Sequence, residues 1–173
     1  MSLLPWLKLD REGRSASSSE TDTVRKITRA LDQLEPEKAK FVAAFAYMLS
    51  RAARADLKIE LRETETMERI VAEHGQLPEE QAIVAVQIAK SQSILFGGTE
   101  NYLVSREFGA LASLPQKLAL LDCLFAVAAA DGSISTVEDN EISQIADELR
   151  IEHKDFIRVR SQYRECLAVL RND

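Results

Sequence analysis

Apolar residues recur at helical spacing along most of the chain from residue 23 onward. No segment alternates apolar and polar residues with the period of two that strands require. One helix shows the pattern well, since its apolar residues fall one or three positions apart: Phe41, Val42, Phe45, Met48, Leu49 and Ala52. The pattern predicts an all-α bundle of about seven to eight helices and no sheet.

Prolines and glycines mark the predicted helix boundaries. Three prolines suit the first turn of a helix, where an N–H has no intrahelical partner: Pro36, Pro78 and Pro115. Gly75 and Gly97-Gly98 suit helix C-termini. The helix predicted over residues 115–130 is apolar on nearly every side, which predicts that it forms the buried centre of the bundle.

The first 22 residues differ in character from the rest of the chain. An apolar cluster comes first (Leu3, Leu4, Trp6, Leu7 and Leu9), and residues 10–22 are polar and rich in serine. We therefore predict a flexible N-terminal segment and linker over 1–22 and a helical domain over 23–173. The apolar tip either packs on the domain or remains disordered, or it docks on a protein partner or a membrane surface.

Two loops of the chain are nearly the same, 75 residues apart. Asp56 corresponds to Asp131, Ile59 to Ile134 and Glu63 to Glu138, and in each copy an apolar helix precedes the loop and an acidic amphipathic helix follows it. This internal repeat predicts two related, pseudo-symmetric halves that pack together, with the acidic loops in equivalent positions.

The second copy is similar to the back half of an EF-hand calcium loop. Gly132, Ile134 and Glu138 fit its glycine, aliphatic and bidentate glutamate positions. Its first ligand positions would be Val127 and Ala129, which have no side-chain oxygens. A high-affinity EF-hand site is therefore excluded.

Two interpretations of these acidic residues remain open. In the structural one, Ser135 and Glu138 form a capping box at a helix start and Asp131-Gly132 is an ordinary turn. In the other, the loops meet and form a weak divalent-cation site from four carboxylates: Asp56, Glu63, Asp131 and Glu138. Such hard oxygen ligands favour Ca²⁺, Mg²⁺ or Mn²⁺.

The chain contains a twin pattern: an Ala-rich apolar helix, then Ala-Asp-Gly-x-Ile-Ser-x-x-Glu, then an acidic helix. This pattern resembles the TerB-like tellurite-resistance family. That family is related to the N-terminal helical domain of membrane-anchored DnaJ-like co-chaperones. The resemblance covers about residues 36–170 and is looser in the first copy, where Leu57 and Lys58 replace small residues. It implies an all-helical fold with pseudo-twofold halves and a non-enzymatic role in the response to tellurite and other stress. It also implies that the four loop carboxylates bind metal or a partner. The alternative is a helical protein-interaction or co-chaperone-type scaffold domain.

Composition and charge narrow the classes of function that remain open. The net charge is −6 without a basic stripe, which disfavours nucleic-acid binding. No apolar run is long enough for a membrane span and no signal peptide is evident, so we expect a cytoplasmic protein with a protein partner. Cys123 and Cys166 lie in apolar helical patterns, which predicts buried free thiols.

The polar residues outside the loops show no catalytic motif. His74 is expected to lie at a helix C-terminus, where a cationic side chain interacts favourably with the negative end of the helix dipole. The acidic run 138–141 is predicted to be a solvated face and to place negative charge at a helix start. The last helix is basic. Its arginines are expected to pair with an acidic face of the same molecule or with a partner: Arg158, Arg160, Arg164 and Arg171.

Overall fold

A computed structural model describes residues 18–54, 64–91 and 98–171. Eight α-helices occupy these ranges: α1 Ser18–Asp32, α2 Pro36–Arg54, α3 Thr64–Gly75, α4 Glu79–Ser91, α5 Gly98–Leu111, α6 Leu114–Ala128, α7 Thr136–Glu148 and α8 His153–Ser161. Short 3₁₀ turns lie at Ala129–Asp131, Arg164–Cys166 and Ala168–Leu170. The predicted all-α bundle is confirmed, and the described ranges contain one isolated parallel bridge, between Ile134 and Leu167, but no strand.

Helix α2 is the most enclosed element of the bundle. Every residue from Val42 to Ala52 is buried, and the helix packs against α4, α5, α6 and α7. The predicted central helix, α6, is also largely buried, but Asp122 and Val127 on it remain partly exposed. The alanine side chains on α2 are small, so neighbouring helices can pack closely against several of its sides. The number of apolar residues in a helix does not by itself reveal this.

Glycine at the end of α3 permits a close approach to α2. A Cβ at Gly75 would lie 2.7 Å from Cζ of Phe45, whose side chain is fully buried. The Phe45 ring in turn lies 6.4 Å from the ring of Phe108 on α5, centroid to centroid. The predicted stop at Gly75 is confirmed, but the left-handed residue comes next, at Gln76, so packing against Phe45 and not helix capping explains this glycine.

The two halves exchange contacts: α3 packs on α6, α2 packs on α7, and α2 also contacts α6. Both α3 and α7 are followed by a non-glycine residue with positive φ, Gln76 at 53° and Arg150 at 56°. A buried aliphatic side chain comes next in each case, Leu77 and Ile151. The pseudo-twofold relation itself stays a prediction.

Three predicted boundaries differ from the structure. Helix α1 begins at Ser18, inside the predicted linker, because Ser, Glu and Asp are residue types that favour a first helical turn. Gly98 begins α5 and does not end α4, while Gly97 lies outside the described residues. The last helix ends at Ser161, so Leu167 reaches the core from a turn.

Candidate functional site

The second acidic loop joins α6 to α7 through one 3₁₀ turn, Ala129–Asp131. The next residue, Gly132, has φ of 89°, a left-handed conformation that side chains disfavour. Nothing lies within 4 Å of a Cβ built at this glycine. Backbone conformation, and not space, therefore explains the glycine.

The carboxylate of Asp131 turns the loop at its exposed edge. Its Oδ1 accepts a hydrogen bond from the Ser133 backbone N–H at 3.0 Å, which is an Asx turn. The residue is exposed. Two of the four predicted ligands lie in the part of the chain that the structure describes, and Asp131 is the one of these that is exposed to solvent.

Glu138 is part of the N-terminal cap of α7. The Ser135 Oγ accepts from the Glu138 N–H at 3.2 Å, and the Ser135 N–H donates to Glu138 Oε2 at 2.8 Å. This reciprocal pair is the capping box that the sequence predicts. The Ser135 hydroxyl also donates to Oε2 at 2.9 Å, and Glu138 is only 6% exposed.

The C-terminal segment holds the loop in place. The Ile134 N–H donates to the Cys166 carbonyl at 2.7 Å, and the Ala168 N–H donates to the Ile134 carbonyl at 2.9 Å. Ile134 and Leu167 are both buried. Sequence reasoning missed this pairing, because one bridge between turns produces no periodic pattern.

The acidic run 138–141 is not the solvated face that was predicted. Asp139 is 8% exposed and receives two hydrogen bonds from Arg160 on α8, at 2.8 and 2.7 Å. Hydrogen bonding to Asp139 raises the pKa of Arg160. Arg158 pairs with Asp155 on its own helix. Two arginines of the basic last helix therefore pair within the molecule, which was one of the two predicted alternatives. The acidic run is therefore only partly solvated: α8 and α2 supply cations to Asp139 and Glu141, while Asn140 is exposed.

The second of these cations is Arg51, whose side chain is 3% exposed. Its Nε donates to Glu141 at 2.7 Å and its Nη1 to Glu148 at 2.7 Å, while Nη1 also donates to Ser105 Oγ at 3.2 Å. Ser105 additionally donates to Glu148. Burial opposes ionisation of Glu148, but the hydrogen bonds from Arg51 and Ser105 outweigh it and the pKa of Glu148 is lowered. The cluster ties α2 and α5 to α7.

A third polar cluster contains His74, for which the sequence suggested only a helix-dipole role. Its Nδ1 lies 2.6 Å from Oδ2 of Asp122, and the Tyr163 hydroxyl donates to Oδ1 of the same carboxylate at 2.6 Å. Burial and the bond to Asp122 raise the pKa of Tyr163. The aspartate therefore fastens the end of α3 and the C-terminal segment to α6. Asp122 carried a signal that was overlooked, since it is the one acidic residue of a strongly apolar helix.

The predicted metal residues fall into two groups. Asp56 and Glu63 lie outside the described residues, so their distance from the second loop stays a prediction. Asp131 and Glu138 lie at the two ends of one loop, each with a hydrogen-bonding role in it. In the described ranges no three His, Cys, Asp or Glu side chains form a group suited to a metal ion.

Both cysteines are free, with Cys123 buried and Cys166 only half-buried. Desolvation at the Cys123 thiol raises its pKa. The prediction of free thiols is confirmed, whereas full burial holds for Cys123 alone. Within the described ranges, no helix has the length and apolar character to cross a bilayer.

Comparison with known proteins identifies the family. The sequence model described as "Tellurite resistance protein TerB" matches residues 42–161, which include both loops, most of α2 and all of α3 through α8. The chain belongs to the TerB family. No curated protein and no solved structure matches the chain. The family match supports the resemblance drawn from the Asp131–Glu138 pattern.

Proposed function

We propose that this chain is a non-enzymatic, cytoplasmic stress-response module of the tellurite-resistance type that binds a divalent cation weakly through its acidic loops. The observation that carries the proposal is the family match over residues 42–161, which contains both loops. Asp56, Glu63 and Asp131 supply carboxylate oxygens in this proposal. Glu138 contributes by fixing the start of α7, and its carboxylate lies beside the same loop.

Local geometry supports Asp131 as a ligand. The residue is exposed, and its loop is held by hydrogen bonds to Ser133 and to the C-terminal segment. Little conformational entropy then remains to be lost when an ion binds. Hard carboxylate oxygens favour Ca²⁺, Mg²⁺ or Mn²⁺, and so small a ligand set corresponds to dissociation constants on the order of 10⁻⁴–10⁻³ M.

Titration calorimetry on the chelator-treated protein tests the proposal, with Ca²⁺, Mg²⁺ and Mn²⁺ as the titrants. The informative variants are Asp131→Asn and Glu138→Gln, because each removes a charge and keeps the hydrogen bonds. Asparagine still accepts from an N–H, and glutamine already completes the equivalent capping box of α6 at Gln116. A loss of binding without a loss of stability would thus be an effect on ligation.

The matched control is Asp147→Asn, which removes one exposed charge near the end of α7. We expect saturable binding by the wild type and by this control, and at least about tenfold weaker binding by Asp131→Asn, equivalent to about 1.4 kcal/mol. Wild-type protein that binds none of the three ions, or an Asp131→Asn variant that binds as well as the control, would refute the cation proposal.

A second candidate function is a helical interaction module with purely structural loops. The burial of Glu138 in a complete capping box favours it, because that role accounts for the residue without a metal. The same calorimetry separates the two. If no ion binds and Ser135→Ala destabilises the fold, the loops are structural elements and the function resides in a protein-binding surface.

A further inference from the structure

Local hydrogen bonds hold the two ends of the second acidic loop, and a distant segment of the chain holds its middle. At the first end, Asp131 Oδ1 accepts from the Ser133 N–H at 3.0 Å, and at the other end lies the capping box of α7. In the middle, the Ile134 N–H donates to the Cys166 carbonyl at 2.7 Å, and the Ile134 carbonyl accepts from the Ala168 N–H at 2.9 Å. The position of Ile134 therefore depends on the C-terminal segment, residues 163–170.

The C-terminal segment is attached to the bundle at few places. Residues 164–171 all lie in the described part of the chain, and among them Leu167 alone is buried, at 1% exposure. Two short 3₁₀ turns flank this leucine. Parts of a protein with few buried contacts open at a lower free energy than the helical core. We therefore expect the segment to detach and dock again while the helices stay folded.

Tyr163 anchors the beginning of the segment. Its ring stacks on the buried ring of Phe125 in α6, with the centroids 5.6 Å apart and the planes inclined by 18°. Its hydroxyl donates to Asp122 Oδ1 at 2.6 Å, and His74 Nδ1 lies 2.6 Å from the other oxygen of that carboxylate. A hydrogen bond to an ionised acceptor is about twice as strong as one between neutral groups. The carboxylate is thus held from two sides, and it fixes the tyrosine.

Short turns join this anchor to Leu167, the second anchor. The Cys166 N–H donates to the Tyr163 carbonyl at 2.9 Å, and the Leu167 N–H donates to the Arg164 carbonyl at 3.3 Å. Leu167 in turn pairs with Ile134, which is fully buried. Because these bonds make the segment one unit, release of Tyr163 loosens Leu167, and release of Leu167 frees Ile134. The segment is therefore an element with two states, docked and detached.

We propose that docking of the C-terminal segment and cation binding at the second acidic loop strengthen each other. The cation site itself rests on the proposed function. When the segment is docked, Ile134 is fixed and the Asp131 carboxylate stays bonded to Ser133. When the segment detaches, an ion has to order the loop, and this loss of conformational entropy weakens its binding. Linkage requires the reverse effect, in which a bound ion favours the docked state by the same factor. Tyr163 is thus a positioning residue, because it acts on the loop through Leu167.

Amide hydrogen exchange on the full chain tests the coupling, because it measures how often a rare open state is visited. The reporters are the N–H groups of Ile134, Ala168 and Ser133, each followed separately by nuclear magnetic resonance. The variant Tyr163→Phe keeps the ring on Phe125 and removes the hydroxyl. Without any cation, it should speed exchange at all three reporters by about fivefold, the effect of one lost hydrogen bond.

The matched control is Ser113→Ala, which removes the cap of α6. Its expected effect on stability is similar, but the cap lies at the opposite end of α6 from the second loop. It should leave the three reporters as in the wild type. Equal acceleration in both variants would mean that the reporters exchange by unfolding of the whole domain, and this overturns the proposal. A Ser133 N–H that stays protected in Tyr163→Phe also overturns it, because the segment then has no effect on Asp131.

The same exchange measurement with saturating Ca²⁺, Mg²⁺ or Mn²⁺ tests the link to the cation. The ion that calorimetry shows to bind should slow exchange at the Ala168 N–H, which belongs to the segment, at least about threefold. An ion that binds without slowing this N–H overturns the coupling and leaves the proposed function intact. Wild-type protein that binds none of the three ions overturns the proposed function and the coupling together.

Discussion

Replacing Arg51 by methionine should destabilise the fold strongly. The substitution keeps an unbranched side chain of similar length but removes the cation that Glu141 and Glu148 share. Those carboxylates are 27% and 14% exposed, so water compensates for the loss only in part. The variant thus retains two partly buried like charges without a counterion.

Removing one partner of a buried ion pair typically costs 3–5 kcal/mol. The partial exposure of Glu141 places this cluster near the lower end, and we expect Arg51→Met to lower the free energy of unfolding by about 3 kcal/mol at pH 7. The control Arg158→Met removes a guanidinium that is 63% exposed and bonded to Asp155. It should change the same quantity by less than about 1 kcal/mol.

The loss should depend on pH in a defined direction. In the wild type the pKa of Glu148 is lowered, so the stability that its ionisation contributes is complete above the ordinary glutamate pKa of about 4.3. That contribution is lost as the pH falls through the folded-state pKa. In Arg51→Met, burial is the dominant remaining influence and disfavours the carboxylate, so acid relieves the variant. The gap between the two proteins should narrow from pH 7 to pH 4.

Urea unfolding followed by circular dichroism at both pH values measures this gap. A loss below about 1 kcal/mol at pH 7, or a gap that widens in acid, would refute the reasoning. If Arg51→Met does not fold, Arg51→Met/Glu148→Gln provides the measurement. It removes one stranded charge and should recover part of the loss.

Three further substitutions test other parts of the fold by the same unfolding assay. Gly75→Ala should cost about 1–3 kcal/mol, because its Cβ would meet the buried Phe45 ring at 2.7 Å; an unchanged midpoint would contradict this. Ser135→Ala should cost about 1 kcal/mol by removing the cap of α7, whereas Ser135→Thr should cost less; equal losses would argue against the cap. Tyr163→Phe should cost about 1 kcal/mol through the bond to the Asp122 carboxylate, and its loss should shrink in an Asp122→Ala background, which removes that acceptor and leaves only the Asp122 carbonyl.

Local interactions explain which features could be predicted from the sequence. The box of Ser135 and Glu138 depends on residues three positions apart, and the left-handed turn at Gly132 on one residue. Pro36 begins a helix for a reason confined to one turn of chain. These features can be predicted from the sequence because contacts with distant residues seldom override them.

Long-range pairs explain what sequence reasoning missed. Arg51 lies 90 and 97 positions from its two carboxylates, and His74 lies 48 from Asp122. The sequence around a charged residue on an amphipathic helix looks the same whether water hydrates the residue or a distant charged side chain pairs with it. For this reason the run 138–141 was interpreted as a solvated face, although Asp139 is buried against Arg160.

The sequence by itself determined the helical class, the order of the helices, the start of α7 and the TerB resemblance, because period, caps and motif spacing are local properties. Only the tertiary structure decided that α2 is the most enclosed helix, that Ile134 pairs with Leu167, and that Glu138 is buried while Asp131 is exposed. Burial and partner choice depend on how helices pack, and packing joins residues whose separation along the chain carries no periodic signal.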